Sequence, residues 1–295
     1  QFKGQRVGVL KIPSFYIRLS EDTRLKLEEL KKKKVDAIIV DLRGNGGGAL
    51  TEATMLTSLF TGQGPVVQIR DTSGKISVNR GRQAAIYNGP LVVMVDRYSA
   101  SASEIFAAAI QDYGRGLIVG DSTFGKGTVQ QHSDLGRSYD MYDKPIGYIQ
   151  YTIAKFYRIN GESTQLKGVT PDIAFPTWLA PEEHGEAEED NPLPWDTIAK
   201  QPYNRYNKVN SSVIEAMSSK YNRRIKSDAE FSVLLSMVDE YKSRSKDKSV
   251  SLVEKERIQE REESDKRALE RLNAYLKIKG MKPVKSLDKA PKDFE

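Results

Sequence analysis

The sequence predicts an α/β layer architecture over residues 1–178, followed by a mainly α-helical C-terminal domain. Three observations carry that expectation. Apolar runs of strand length, such as Ala37 to Val40 and Leu91 to Val95, alternate with stretches of helical periodicity. Glycine-rich turns follow several of those runs, at residues 44–48 and 125–127. From residue 211 onward the apolar residues recur at helical spacing in a strongly charged background.

Taken in order, Val7 to Ile12 is a strand candidate, and Glu21 to Lys34 a helix with Leu25, Leu27 and Leu30 inward. Ser20 is a candidate N-cap for that helix. Ala37 to Leu42 reads as a buried strand running into Arg43-Gly44-Asn45-Gly46-Gly47-Gly48, and Thr51 to Phe60 as the next helix. Val66 to Arg70 and Ala84 to Tyr87 read as short strands about a polar turn at Ser73-Gly74. Leu91 to Val95 is a strand, residues 101–113 a helix, and Leu117 to Val119 a strand. Gly147 to Thr152 and Lys155 to Ile159 read as a hairpin-like sheet edge.

Composition then shifts. Residues 179–210 read as an acidic linker and extended segment, with a mobile stretch at 181–190 that contains His184 as a solvated side chain. Residues 211–295 read as the helical domain, with a capping-box sequence at Ser227-Asp228-Ala229-Glu230. Val253 to Lys279 is a long charged helix, read as a solvated face or a coiled-coil partner.

Composition bounds the function. The 295 residues carry 46 basic and 40 acidic side chains, a net charge of +6. The two signs are interleaved, which argues for a solvated surface and against a nucleic-acid footprint. No apolar run approaches the roughly 18–20 residues of a membrane span. The absence of cysteine excludes disulfides, thiolate metal sites and cysteine nucleophiles, and fits an oxidising compartment without requiring one. The chain begins Gln1-Phe2-Lys3, without an initiator Met or a signal segment, and reads as a piece of a longer protein.

Two short segments carry the chemistry. Ser101 lies in Tyr98-Ser99-Ala100-Ser101-Ala102-Ser103-Glu104, at the start of a helix, where free backbone N–H groups face a developing oxyanion. The same residues form a capping box, and taken alone the segment favours the cap. Lys126 lies in Thr123-Phe124-Gly125-Lys126-Gly127, where flanking glycines allow close backbone approach and apolar surroundings would favour the neutral amine. A solvated surface lysine is the plain alternative. A hydroxyl needs a base, and with only His132 and His184 in the chain few other groups could supply one. His132 with Asp112 behind it is a possible triad, but the chain has no G-x-S-x-G nucleophile turn.

Residues 120–126 also match most of the P-loop pattern G-x-x-x-x-G-K, and Val92-Val93-Met94-Val95-Asp96 could supply a magnesium-binding aspartate. The residue after Lys126 is Gly127 rather than Ser or Thr, and the following residues read as strand. A non-catalytic scaffold that docks a partner remains open on these residues as well.

The serine segment, the lysine loop with Gln130, Asp41-Leu42-Arg43-Gly44-Asn45-Gly46-Gly47-Gly48 and the closing Gly168-Val169-Thr170-Pro171-Asp172 together resemble the carboxyl-terminal processing proteases. The resemblance implies a crotonase/ClpP-like ββα core and a serine endopeptidase with a Ser101–Lys126 dyad. Gln130 would hold the lysine, and the backbone N–H groups of Gly47 and Ala102 would form the oxyanion hole. It implies no metal and no cofactor. The implied partners are unfolded or loosely folded protein substrates with apolar C-terminal tails and a lipoprotein adaptor, in the bacterial periplasm at the inner-membrane surface. Family members carry a PDZ domain ahead of the core, and no room for one precedes Val7.

Overall fold

The computed structural model describes residues 4–136, 147–179, 184–246 and 249–291. They divide into two compact units, residues 1–175 with 181–215 and residues 176–180 with 216–295.

The first unit contains a parallel sheet and an antiparallel sheet. Strands β1 (Val7–Lys11), β2 (Ala37–Asp41), β5 (Leu91–Val95), β6 (Leu117–Gly120) and β9 (Ile173–Ala174) form the parallel sheet in the order β1-β2-β5-β6-β9. Strands β3 (Gly64–Asp71), β4 (Ile76–Gly81), β7 (Thr128–Asp134) and β8 (Tyr148–Tyr157) form the antiparallel sheet in the order β4-β3-β8-β7. Helices α1 (Leu19–Lys32), α2 (Leu50–Thr61) and α3 (Ala102–Asp112) cross between strands. Helix α3 packs on α2 and touches β6 of one sheet and β3 of the other. One apolar core therefore runs from Ile38, Val40, Val93 and Val95 through Leu56, Phe60, Phe106 and Ile110 to Val67 and Phe156. Strand–helix alternation, legible in the sequence, becomes parallel pairing because each crossover returns the chain in the same direction.

Several local expectations change. Ser20 does not cap α1, since it lies inside the helix behind Arg18. The capping is done from α2, whose Glu52 carboxylate accepts the N–H of Arg18 at 2.7 Å and of Ser20 at 2.9 Å. Burial alone would raise the Glu52 pKa, but these donors hold it below the usual carboxylate range. Ala84 to Tyr87 is not a strand. The hairpin partner of β3 is β4, which follows the Ser73-Gly74 turn directly. The two expected strands at 147–159 are one strand, β8, paired with β7 on one side and β3 on the other.

The acidic stretch is bonded to the first unit in its described part. His184 is half-buried rather than solvated, and its carbonyl accepts Arg97 Nε at 2.6 Å. Residues 181–183 lie outside the described residues. Further along, Trp195 Nε1 donates to the Ser163 carbonyl at 2.9 Å. Asp196 accepts Lys155 Nζ at 2.5 Å and Arg70 Nη2 at 2.6 Å, which holds its carboxyl below the ordinary range.

Helix α4 (Ser211–Ser227) precedes α5 (Ala229–Arg244) and α6 (Glu254–Ile278). Asp228 is the residue that caps α5, accepting the N–H of Glu230 and of Phe231. Val238 of α5 and Leu272 and Leu276 of α6 are buried. Glu240 pairs with Arg267 at 3.0 Å and also with Arg271. Ile258 stays half exposed, so the N-terminal part of α6 presents a charged face with one apolar residue in it. Among the described residues no helix is long and apolar enough to cross a membrane.

Candidate active site

Three connections converge at the C-terminal ends of β2, β5 and β6, where a parallel sheet opens its crevice. They are the glycine turn after β2, the serine turn after β5, and the lysine loop between β6 and β7.

The glycine turn is held by side chains on both flanks. Asp41 takes Arg43 in a two-point pair, Nε at 2.9 Å and Nη2 at 2.9 Å, and this guanidinium keeps the Asp41 carboxyl below its usual range. Asp96 accepts the N–H of Gly44 at 3.0 Å on one oxygen and 3.1 Å on the other. Asn45 is fully buried. Its amide donates to the Ile12 carbonyl at 2.8 Å, and its Oδ1 accepts the N–H of Gly47 at 2.9 Å. Gly47 has φ +105, and a Cβ there would stand 2.8 Å from the Ala100 carbonyl and 2.9 Å from Ser101 Cβ. The turn and the serine thus meet so closely that only glycine fits.

The serine turn is tied to the glycine turn. Ala100 N–H and Ser103 Oγ both donate to the Asn45 carbonyl, at 3.0 and 2.8 Å. Ser99 Oγ donates to the Leu42 carbonyl at 2.9 Å. Ser101 itself stands at the N-cap of α3 with φ +55 and ψ −112. A non-glycine residue in that region costs on the order of 1–3 kcal/mol, and it persists only where surroundings impose it. A sharp strand-to-helix turn of this kind lifts a serine out of the backbone without a G-x-S-x-G sequence.

Glu104, a helix-cap residue by its sequence spacing, does more in the structure. Its side chain is fully buried, and it accepts four hydrogen bonds. Oε2 takes Ser101 N–H at 2.8 Å and Lys126 N–H at 3.0 Å. Oε1 takes Thr123 Oγ at 2.6 Å and Gly125 N–H at 2.8 Å. One carboxylate therefore joins the serine turn to the lysine loop. Burial pushes its pKa up to about 7, against the four donors that pull it down. The capping-box spacing was the sequence signal; the contacts to Thr123, Gly125 and Lys126 left none.

Lys126 Nζ donates to Gln130 Oε1 at 2.8 Å, and the same oxygen accepts Gln150 Nε2 at 2.6 Å. Gln130 sits at an irregularity in the β7–β8 register, where Val129 faces Ala154 and Gln130 faces Thr152, so the extra residue, Ile153, lies on β8. Ser101, Ala102, Lys126 and Gln130 line one cleft of about 290 Å³ with Gly46, Gly48 and His132. Leu50, Ile105, Val129 and Phe156 supply its apolar wall. Such a cleft can take an extended apolar segment, with the Ser101 hydroxyl and the Lys126 amine both in its lining.

Two other sequence readings separate from this site. Asp112 does not stand behind His132. It lies at the far end of α3 from Ser101, paired with Arg158. The loop at Lys126 runs directly into β7 rather than a helix, and Asp96 spends its carboxylate on the N–H groups of Gly44 and Tyr98. The phosphate-cradling helix N-terminus of a P-loop is therefore missing at this lysine.

Comparison with known proteins matches residues 6–175 to the model of peptidase family S41, and residues 179–295 to the C-terminal domain of tail specific protease. The chain is 48% identical over 295 residues to the tail-specific protease of Haemophilus influenzae, covering 99% of this chain and 42% of that protein. It is 35% identical over 174 residues to the carboxy-terminal processing protease CtpB of Bacillus subtilis, covering 59% of this chain and 35% of that protein. A solved photosystem II D1 C-terminal processing protease superposes with a TM-score of 0.51 at 32% identity, covering 60% of this chain and 43% of that one. The chain spans less than half the length of each of these relatives. With the family model running from the first strand through both turns and the lysine loop to the last strand of the parallel sheet, the chain belongs to peptidase family S41.

Proposed function

We propose that this chain is the catalytic part of a serine endopeptidase in which Ser101 is the nucleophile and Lys126 its general base. The observation that carries the reading is Glu104, whose single carboxylate receives the backbone of both residues. A helix cap needs only the bond to Ser101; the three bonds to the lysine loop serve to fix the lysine relative to the serine.

Neutral Lys126 takes the Ser101 hydroxyl proton as Oγ attacks the peptide carbonyl. The resulting oxyanion lies at the start of α3, where the Ala102 N–H points outward from the helix terminus. The glycine turn supplies a second donor: Gly47 N–H, now given to Asn45 Oδ1, is exchanged to the oxyanion. The Lys126 ammonium then protonates the leaving amine, and the C–N bond breaks. Water gives a proton to Lys126 and attacks the Ser101 ester, and the ammonium returns that proton to Ser101 Oγ as the ester C–O bond breaks and the acid is released. Gln130 holds the amine over the cleft throughout.

The substrates proposed are unfolded or loosely folded envelope proteins with apolar C-terminal tails, drawn to the apolar wall of the cleft. The likeness to a tail-specific protease supports tail selection, and a lipoprotein adaptor and a periplasmic site at the inner-membrane surface follow from the same reading. Lack of cysteine is consistent with that compartment.

The test is degradation of an unfolded reporter with an apolar tail by the full-length protein and by its Ser101→Ala, Lys126→Ala and Lys126→Arg variants. All three variants are expected to lose turnover while keeping their folded Tm, Lys126→Arg because guanidinium does not give up its proton. Retained cleavage in Ser101→Ala or Lys126→Ala overturns the dyad, and absence of cleavage by the full-length wild type leaves the partner-docking scaffold as the better reading.

A further inference from the structure

The lysine loop has glycine on both sides of Lys126, Gly125 at φ +95 and Gly127, so its backbone has little stiffness of its own. Its geometry comes from what grips it. Glu104 grips it from the side of α3. The opposite side is gripped by residues beyond the stretch matched to the peptidase family.

Glu186 makes two of those contacts. Its backbone N–H donates to the Phe124 carbonyl at 3.0 Å. Its carboxylate accepts Gln165 Nε2 at 3.0 Å, and the other end of that amide, Gln165 Oε1, accepts the N–H of Gly127 at 2.8 Å. Gln165 is fully buried, so the amide has one orientation that serves both ends. The two grips fall on Phe124 and Gly127, the residues that bracket Gly125 and Lys126. Gly185 is buried with φ +148, and a Cβ there would stand 2.9 Å from the Phe124 carbonyl. The approach of this segment to the loop is thus close enough to require glycine.

The segment reaches the serine turn as well. Arg97, buried beside Tyr98, donates Nε to the His184 carbonyl at 2.6 Å and Nη1 to the Thr123 carbonyl at 2.8 Å. The His184 ring meets the Tyr98 ring edge-on at 6.3 Å. Its downstream end is fixed by Trp195 on Ser163 and by Asp196 on Lys155 and Arg70. A free linker would show none of this.

We propose that residues 184–196 are a positioning strap for the catalytic loop, with Glu186 acting through Gln165 and Phe124 on the placement of Lys126. The protease core is completed by chain that belongs to its C-terminal extension. The proposal rests on the dyad reading above.

The test uses the full-length protein. Glu186 opens a single 3-10 turn after Gly185, so Glu186→Pro deletes the N–H and the carboxylate together, and its ring, standing where the N–H met the Phe124 carbonyl, pushes the strap off the loop. Glu186→Ala deletes the carboxylate alone, and Glu186→Gln keeps an oxygen that accepts from Gln165. Exposed Glu188→Ala is the control. The readouts are kcat and KM on the unfolded reporter, the rate of Ser101 labelling by a fluorophosphonate, and Tm.

Glu186→Pro is expected to lower kcat and the labelling rate about tenfold with KM within about twofold, as a small misplacement of a catalytic group does. Glu186→Ala falls about threefold, Glu186→Gln and Glu188→Ala stay near wild type, and Tm is unchanged in these three variants. Wild-type rates in both Glu186→Pro and Glu186→Ala overturn the strap while leaving the dyad intact. A loss that appears as raised KM, or equally in Glu186→Gln, also overturns it. Absence of cleavage and of Ser101 labelling in the wild type itself is the separate failure of the protease reading, and the strap's role falls with it. A fall in Tm for Glu186→Pro leaves the Ala and Gln pair to decide.

Discussion

Glu104 Oε2 accepts the backbone N–H of Lys126 at 3.0 Å, and the same oxygen accepts that of Ser101 at 2.8 Å. The carboxyl is wholly buried, and burial raises its pKa from 4.5 to about 7. An acid that is harder to ionise in the folded state than in the unfolded state holds its proton longer on folding. Folding is therefore opposed increasingly as pH rises from about 4.5 to about 7, and levels off above that. The loss amounts to about 3 kcal/mol across the window. Denaturant titrations at closely spaced pH should show this decline in the wild type and its absence in Glu104→Gln. Glu104→Gln should also lose turnover, since an amide offers one acceptor oxygen where two are needed for four donors. Equal pH slopes in the two proteins would remove the buried carboxyl as the cause.

Gly47 is the point of closest approach between the glycine turn and Ser101. A methyl group there meets the Ala100 carbonyl and Ser101 Cβ below 3.0 Å, at a φ that non-glycine residues avoid. Gly47→Ala should cost about 1–3 kcal/mol in stability and displace the serine turn enough to remove most activity. Gly44 has a positive φ but open space around it, so Gly44→Ala should show a smaller stability loss and retain turnover. Comparison of kcat and Tm for the two variants separates steric displacement of Ser101 from backbone strain alone.

The turns around the cleft were legible because each has an unusual sequence setting. The glycine run at 46–48, Lys126 between two glycines, and a serine opening a helix all mark special backbone, and special backbone is a local property. Glu104 was legible only as a cap, since its contacts to Thr123, Gly125 and Lys126 join positions about twenty residues apart that no periodicity links. Glu52 capping α1 from α2 is the same kind of contact, and Ser20 is the nearer cap candidate in the sequence. β4 escaped because Ile76–Gly81 is a polar edge strand, whereas Ala84 to Tyr87 is more apolar and lies in a loop. The acidic run looked like a solvated linker by composition, yet its binding to the lysine loop uses backbone groups and one buried amide, which composition does not register.

Gln130 should affect turnover without affecting binding. Its Oε1 is shared by Lys126 Nζ and Gln150 Nε2, so the amide cannot rotate away from the lysine without losing both donors. Gln130→Ala should lower kcat about ten- to a hundredfold with KM little changed. A raised KM with normal kcat in Gln130→Ala would instead place Gln130 in substrate binding.

Asp112 and Arg158 form a buried pair at the end of α3 away from the cleft, Oδ1 to Nη2 at 2.6 Å, with side chains 5% and 13% exposed. Arg158 also donates to Gln111 Oε1 at 3.0 Å, so the guanidinium joins the last turn of α3 to the chain just after β8. Asp112→Ala leaves that guanidinium buried without its counter-charge and should cost about 3–5 kcal/mol. Replacing both partners, as in Asp112→Leu with Arg158→Met, removes the stranded charge and should recover a large part of that loss. Activity per folded molecule in the double variant then tells whether the pair only holds the helix or also sets the serine turn at its other end. Wild-type kcat in the recovered fraction assigns Asp112 to stability alone. A kcat that stays low after stability returns would show that the tilt of α3 is transmitted along its single rigid length to Ser101.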